Sequence, residues 1–343
     1  MKTLSLFDKP LIGIDLGSAT VKMAQRSANG YNKAVANVAG MFDGLELKDP
    51  AAFRSLLESM RKECKLQGKR CALVLSKRNV LVRRAELPYM EPKQMRDSML
   101  MEFAGYLPND TDEYLIDYRD LNMQPVAGPS SVMMAAVSRA PMVALLSVFK
   151  QAGFDVQYPD VCENVRAKII HSIASEDNIC FLDIGYQLAQ FIIFHKGQYS
   201  WSKFVMGGGL TYTNALEQEM EMSFDEAEQY KQNIHMLDAK DAVTQQDSHA
   251  MRDRADALVV EVQRVLEYFR TNTQENVNRM YLLGGGAQLQ GLPEYLRDAL
   301  QMDIQWQGEW LESIDGDVRD NMIEDAMWTD AIGVMLREGD ADK

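Results

Sequence analysis

An α/β protein of two similar halves, with duplicated mixed sheets flanked by helices, is what the sequence predicts. Two observations carry this reading. An apolar strand, an Asp-x-Gly turn and a second apolar strand open the chain, and the same succession recurs from residue 178 onward. Strand and helix periodicities alternate after each occurrence, as a layered α/β architecture requires.

The opening run Leu11-Ile12-Gly13-Ile14-Asp15-Leu16-Gly17-Ser18-Ala19-Thr20-Val21-Lys22-Met23-Ala24 reads as two strands joined from Asp15 to Ser18, where glycine permits the turn. Residues 51–66 have helical periodicity, and 70–76 read as a buried strand leading towards Val80-Leu81-Val82. From Leu87-Pro88 the pattern changes: 92–105 is expected to be a helix stopped by Pro108, and 114–121 alternates as a strand. A strand at 132–138 and a helix from Pro141 to about Gly153 follow, so that two strands and two helices predict an inserted subdomain. In the second half the strand pattern returns at 178–185 and 190–194. Helices are expected over 225–233, 254–271 and 292–300, and a strand over 279–283 runs into Gly284-Gly285-Gly286. The expected organisation is a first-lobe core over 1–85, the insert over 86–155, a connection over 156–177 and a second lobe over 178–343, with about 211–278 as its smaller subdomain. The acidic end, 338–343, is expected to fray.

Composition narrows the function classes. At 343 residues and 46% apolar content the chain can fill two cores. A formal charge of -14 offers no field for a phosphate backbone, which excludes nucleic acid as a partner, and the basic cluster at 77–84 reads as a solvated strand end. Cys64, Cys71, Cys162 and Cys180 lack CxxC spacing, so neither a disulfide framework nor a zinc site is expected, and a reducing cytoplasm fits. Residues 1–10 lack the apolar core of a signal peptide and no segment reaches membrane length, so no direct membrane insertion is expected. His171, His195, His235 and His249 are scattered and read as structural or surface residues. The helical spacing of Met95, Met99 and Met101 near Phe103 reads as core packing.

The chemistry lies in the turns. Glycine lets backbone N–H groups approach a phosphate, while the neighbouring carboxylate can hold a magnesium ion, usually through water. One Asp-x-Gly turn is common for turn geometry alone. A pair of them, opening two similar halves, would grip phosphates from opposite sides and share one Mg2+ between Asp15 and Asp183. Ser18 adds a hydroxyl or serves the turn only; Lys22 adds a cation on the following strand or is a surface charge. Gly284, Gly285 and Gly286 permit close approach of a flat base or ribose. Gly207, Gly208 and Gly209 either cover phosphates or form a flexible turn entering a helix near Thr213.

Asp15-Leu16-Gly17-Ser18 with Lys22, Asp183-Ile184-Gly185, Gly208-Gly209 with Thr213, Glu228-x-x-Lys231 and Leu283-Gly284-Gly285-Gly286-Ala287 stand in the order found in the actin, chaperone ATPase and sugar kinase superfamily, which the chain resembles. The resemblance implies a two-lobed actin-like ATPase fold with ATP or ADP in its cleft. It places phosphates and Mg2+ on the first two motifs, ribose and adenine against Glu228 and Lys231, and the last glycine run under the adenosine. Within the superfamily, Leu87-Pro88-Tyr89-Met90-Glu91-Pro92-Lys93-Gln94-Met95 and Met101-Glu102-Phe103-Ala104-Gly105-Tyr106-Leu107-Pro108 are similar to the inserted, FtsA-like subdomain of the PilM family of type IV pilus assembly. Ser223-Phe224-Asp225-Glu226-Ala227-Glu228-Gln229-Tyr230-Lys231, the run from Glu261 to Phe269 and the run from Ala331 to Arg337 fit that family too.

The chain departs from the pattern at Tyr186 and Ala189, where a small residue and a Thr or Ser are usual, at Leu210, and at Asn164 to Arg166 in the interdomain helix. Asp160 and Glu163 are the candidates for orienting an attacking water. No catalytic residue is assigned, and at most a slow ATPase is expected. The resemblance implies an ATP-binding scaffold at the inner membrane, held there by the cytoplasmic N-terminal tail of a PilN-like pilus protein, with other platform proteins as further partners and self-association left open. A small-molecule kinase and an FtsA-like filament protein are the alternatives. The first lacks a convincing Asp for a substrate hydroxyl, and the second carries a membrane helix at its end where this sequence has Arg337-Glu338-Gly339-Asp340-Ala341-Asp342-Lys343.

Overall fold

The computed structural model of the chain describes residues 4–6, 11–27, 30–75, 80–88, 90–121, 129–172, 177–235, 242–306 and 326–338. The chain divides into two compact units. The first holds Met1–Ser172, Gln198–Trp201 and Asp330–Lys343, and the second Ile173–Gly197 and Ser202–Thr329.

In chain order the first unit contains strands β1 (Leu4–Leu6), β2 (Ile12–Leu16), β3 (Thr20–Ser27), β4 (Gly30–Asn37), β5 (Phe42–Asp43) and β6 (Glu46–Leu47), then helix α1 (Pro50–Glu63) and β7 (Arg70–Leu75). There follow β8 (Val80–Pro88), α2 (Pro92–Ala104), β9 (Tyr114–Asp120), β10 (Pro129–Ser138), α3 (Arg139–Gln151), β11 (Asp155–Val161) and α4 (Cys162–Ser172). The next stretch is built from β12 (Ile179–Ile184), β13 (Leu188–His195), β14 (Gln198–Met206), α5 (Gly209–Met220), α6 (Phe224–Lys231), α7 (Ala242–Thr273), β15 (Arg279–Leu283), α8 (Leu292–Leu300) and β16 (Asp303–Gln305). Then α9 (Thr329–Gly333) and β17 (Leu336–Glu338) lead back to the first unit, where β17 pairs with β1.

The two main sheets have the same construction. One is ordered β11-β7-β2-β3-β4 and the other, read from the same side, β16-β15-β12-β13-β14. In each, an antiparallel hairpin, β2–β3 or β12–β13, is extended by a parallel strand, β7 or β15, next to the strand that carries the Asp-x-Gly turn. That strand is the central one, and its residues are buried without alternation, from Ile12 to Leu16 in one sheet and from Ile179 to Leu182 in the other.

Local chemistry starts the helices where they are needed. Asp49 accepts from the N–H groups of Ala51 and Ala52 at 3.0 and 2.9 Å with Pro50 in the first turn, so that α1 delivers Phe53, Leu57 and Met60 to the core. Phe53, Phe149 and Phe154 meet there edge to face at 5.8 and 6.2 Å. Phe149 belongs to α3, and α3, placed with the insert on sequence grounds, buries Met142, Leu145, Val148 and Phe149 in this larger core. It begins at Arg139, before Pro141, because proline is tolerated in the first turn of a helix. The smaller core joins α2 to the antiparallel sheet β8-β10-β9 through Met95, Met99, Phe103, Tyr114, Val132 and Met134. Met101, expected inside, is 79% exposed.

The short helix α9 is wedged in the first unit. A Cβ on Gly13 would overlap the Ala331 carbonyl oxygen, and one on Gly333 would stand 2.7 Å from Val165 Cγ1 of α4. Arg166 of α4, fully buried, makes a bidentate pair with Asp330 of α9, its second bond running from Nη2 to Oδ2 at 3.1 Å.

Candidate functional site

Both Asp-x-Gly turns are built alike. Gly17 N–H donates to Thr20 O at 3.0 Å, and Gly185 N–H donates to Leu188 O at 3.0 Å. Asp15 and Asp183 sit at the ends of their strands, three residues before the hydroxyl of Ser18 in one turn and the phenol of Tyr186 in the other. Across the hairpins the register pairs Asp15 with Lys22 and Asp183 with Gln190. The glutamine is therefore the second half's counterpart of the lysine, a correspondence already present in the equal spacing of the two pairs.

Asp15 is 4% exposed and Lys22 Nζ lies 2.8 Å from its Oδ2. The pair sets one carboxylate and one ammonium side by side at the first turn, the kinds of group that a cation and a phosphate respectively need. Among the described residues no three His, Cys, Asp or Glu side chains gather as a metal cage. Magnesium is commonly held by one or two carboxylates together with water and phosphate oxygens, so a site for it needs no such cage.

In the second unit the glycines have separate duties. Gly284 has φ +81°, and a Cβ there would meet Asp183 Oδ1 and stand 2.5 Å from Ile184 O; one on Gly286 would overlap Ile184 Cγ2. These two are demanded by packing against β12, whereas Gly285 has nothing within 4 Å of its Cβ position and leaves open backbone. Gly208 lies against the second turn, where a Cβ would be 2.6 Å from Leu188 N. The helix expected near Thr213 begins at Gly209, because the turn supplies acceptors for its first N–H groups: Gly209 N–H to Gly185 O at 2.9 Å and Leu210 N–H to Tyr186 O at 2.8 Å.

Glu228 and Lys231 lie on α6, which Ser223 starts through a capping box with Glu226. Spacing of three brings them together at 2.7 Å. Lys231, 5% exposed, also donates to Thr213 Oγ1 at 2.8 Å and to Gly209 O at 3.3 Å, and Thr213 Oγ1 lies 2.5 Å from Glu228 Oε2. Burial, and after it the Glu228 carboxylate, raises the Tyr186 phenol above its ordinary value. Tyr186, Glu228, Lys231, Thr213 and Gly209 thus form one network around the second turn. The joining role of Thr213 had no signal in the sequence, since it depends on α5 and α6 lying side by side.

Asp160 is held by Lys168 Nζ at 2.8 Å and accepts from Asn164 Nδ2 at 2.8 Å. Glu163 is buried, at 4% exposure. On the insert, β9 is the outer strand of its sheet, and a groove of about 180 Å3 beside it is lined by Arg96, Leu100, Tyr114, Leu115, Ile116 and Arg139.

The model of the family described as Type IV pilus assembly protein PilM matches residues 13–335. Among solved structures, a PilM-PilN type IV pilus biogenesis complex superposes with a TM-score of 0.79 at 20% identity, covering 95% of this chain and 97% of that one. The ethanolamine utilization protein EutJ from Carboxydothermus hydrogenoformans gives 0.58 at 15% identity over 96% of this chain and 90% of that one. MreB5 of Spiroplasma citri bound to AMPPNP gives 0.52 at 13% identity over 91% and 96%. These identities speak for a shared fold, the actin-like ATPase fold with its two helix-flanked sheets. The family model spans nearly the whole sequence, so the chain belongs to the type IV pilus assembly protein PilM family.

Proposed function

We propose that the chain is an ATP-binding actin-like scaffold of a type IV pilus assembly platform, working at the cytoplasmic face of the inner membrane through the N-terminal tail of a PilN-like partner. The observation that carries it is the matched pair of turns, each with a glycine N–H bonded to the carbonyl three residues on and an aspartate at the strand end. In this reading the turns of Asp15, Gly17, Ser18 and Lys22 and of Asp183 and Gly185 hold phosphates and Mg2+, Gly208 and Gly209 line the second turn, Glu228 and Lys231 contact the ribose and adenine, and Gly284 to Gly286 lie under the adenosine. Asp15 and Asp183 are the residues that would hold Mg2+, which would supply positive charge to the phosphate oxygens. Hydrolysis is at most slow, since the candidate water-orienting carboxylate Asp160 is occupied by Lys168.

The insert supports the partner half of the proposal. An extended tail adds to the outer edge of β9 by backbone pairing and lays apolar side chains on Leu100, Leu115 and Ile116 between Arg96 and Arg139. Among the described residues no helix is long and apolar enough to cross a membrane, so membrane association is assigned to the partner. Calorimetric titration with Mg-ATP tests the nucleotide half: Asp15→Ala and Asp183→Ala should each weaken binding by about tenfold or more with the far-UV circular dichroism unchanged. Unchanged affinity in both variants rejects the site. A peptide of the partner's N-terminus should be captured by the wild type and lost on Leu115→Asp, and sugar phosphorylation by the purified protein would overturn the scaffold reading.

A further inference from the structure

We infer that Arg139 and Asp117 close the outer edge of β9 on either side of Ile116, so that a partner segment finds only a short backbone pairing site there and is selected by the side chain it sets opposite Ile116. The inference rests on the reading of that edge as the place where the partner tail docks. It adds what kind of segment fits: an extended one with an apolar residue facing α2.

Which backbone groups of β9 face outward follows from the ladder on its inner side. Leu121 N–H donates to Ser131 O at 2.8 Å, so these two residues form a hydrogen-bonded pair of the antiparallel ladder. Such pairs alternate along the register, and Arg119 with Met133, Asp117 with Ala135 and Leu115 with Val137 belong to the same set. The residues between them, Tyr114, Ile116 and Tyr118, therefore turn their N–H and C=O groups away from β10, towards the open side. Those at the two ends are engaged by the chain itself. Tyr114 N–H donates to Thr111 O, and Tyr114 O accepts from Arg139 Nη2 at 2.9 Å. Tyr118 N–H donates at 2.8 Å to Oδ1 of Asp117, the residue before it, which agrees with an outward direction for that N–H. From Tyr114 to Tyr118 this leaves three outward groups for a guest: the N–H and C=O of Ile116 and the C=O of Tyr118. Side chains that occupy edge groups in this way keep a strand from extending into a longer sheet.

A long ladder would hold any extended chain, because backbone bonds give affinity and side-chain pockets give specificity. A short one passes the choice to the groove. Residues directly opposite one another in a sheet share a face. Ile116 packs against the cluster of Met95, Met99 and Phe103 from α2, so the guest residue opposite it faces α2 as well, where Leu100 and Arg96 line the groove.

The test is a calorimetric titration of the full chain with a synthetic peptide of the PilN-like partner's N-terminal tail, and with the same peptide N-methylated at one residue at a time. Affinity should fall about tenfold at no more than two positions, two residues apart, which donate to the carbonyls of Ile116 and Tyr118. Losses at three or more alternate positions would show pairing along the whole edge and overturn the inference. Asp117 is exposed, and Asp117→Ala releases Tyr118 N–H, so the unmodified peptide should bind that variant about threefold to tenfold more tightly. Asp117→Asn keeps an acceptor in place and should stay within about twofold of wild type, which separates the freed N–H from the lost charge. Unchanged or weaker binding by Asp117→Ala at an unchanged melting temperature overturns the inference while leaving the docking site standing. A wild type that does not bind the peptide rejects the docking reading and the inference together. The N-methyl series needs no variant to fold.

Discussion

Gly284 and Gly285 stand next to each other and are expected to behave in opposite ways. At Gly284 a side chain meets both a left-handed backbone and the Asp183 and Ile184 oxygens, so Gly284→Ala should cost about 2 to 4 kcal/mol. At Gly285 the space is open, and Gly285→Ala should stay within about 0.5 kcal/mol. Urea midpoints at constant m-value measure both. An equal, small effect would mean that the glycine run is loose rather than fitted to β12. Lys231 shows the same dependence on place. From its spacing to Glu228 it is a surface cation one turn away from a carboxylate; in the fold it is buried, and its acceptors come from α5 as well as from its own α6.

At the scale of elements, the end of α7 is tied to the β12 and β13 strands by one carboxylate. Glu275 accepts from Lys196 and Asn178, with His195 3.1 Å away, and these bonds, the one from Lys196 first, hold its pKa at about 2 against an ordinary 4.5. A depressed carboxylate stabilises the fold above its unfolded value and loses that contribution as pH falls through the folded one. Glu275→Gln should therefore lower stability at neutral pH, and the gap to wild type should close as pH falls from 4.5 towards 2, as denaturation midpoints over that window will show. A gap that stays constant across the window would mean that the ion pair contributes nothing. Much of the element order is legible in the residues: β15 and α8 fall at the expected positions, and the two hairpins announce themselves by apolar runs around Asp-x-Gly. What escapes local pattern is whatever a distant segment decides. α5 starts four residues early because carbonyls of the β12–β13 turn accept from Gly209 and Leu210, at the end of a glycine run that by propensity alone would read as loop. The apolar face of α3 is visible in the sequence, but nothing in it says which of two cores that face enters.

For the molecule as a whole, the chain leaves the first unit after Ser172, returns to it over Gln198–Trp201 and comes back for good at Asp330, and the buried Arg166–Asp330 pair joins the first and last of these segments. Asn164 to Arg166 of the same helix depart from the superfamily pattern, and the fold gives the reason for Arg166: it pairs with the Asp330 carboxylate on α9. Removing one partner leaves a buried charge, so Arg166→Met should cost about 3 to 5 kcal/mol, and Arg166→Met with Asp330→Leu should recover most of the loss. Chemical denaturation of the single and double variants decides it, and a double variant as unstable as the single one would assign the loss to packing instead. The return of the chain has a mechanical side as well. β1 and β17 run antiparallel, with Leu4 opposite Glu338 at the outer end and Leu6 opposite Leu336 at the inner end. A pull applied between the two ends of the chain therefore enters at Leu4 and Glu338 and peels the ladder open one pair at a time, at low force, instead of shearing all its bonds together.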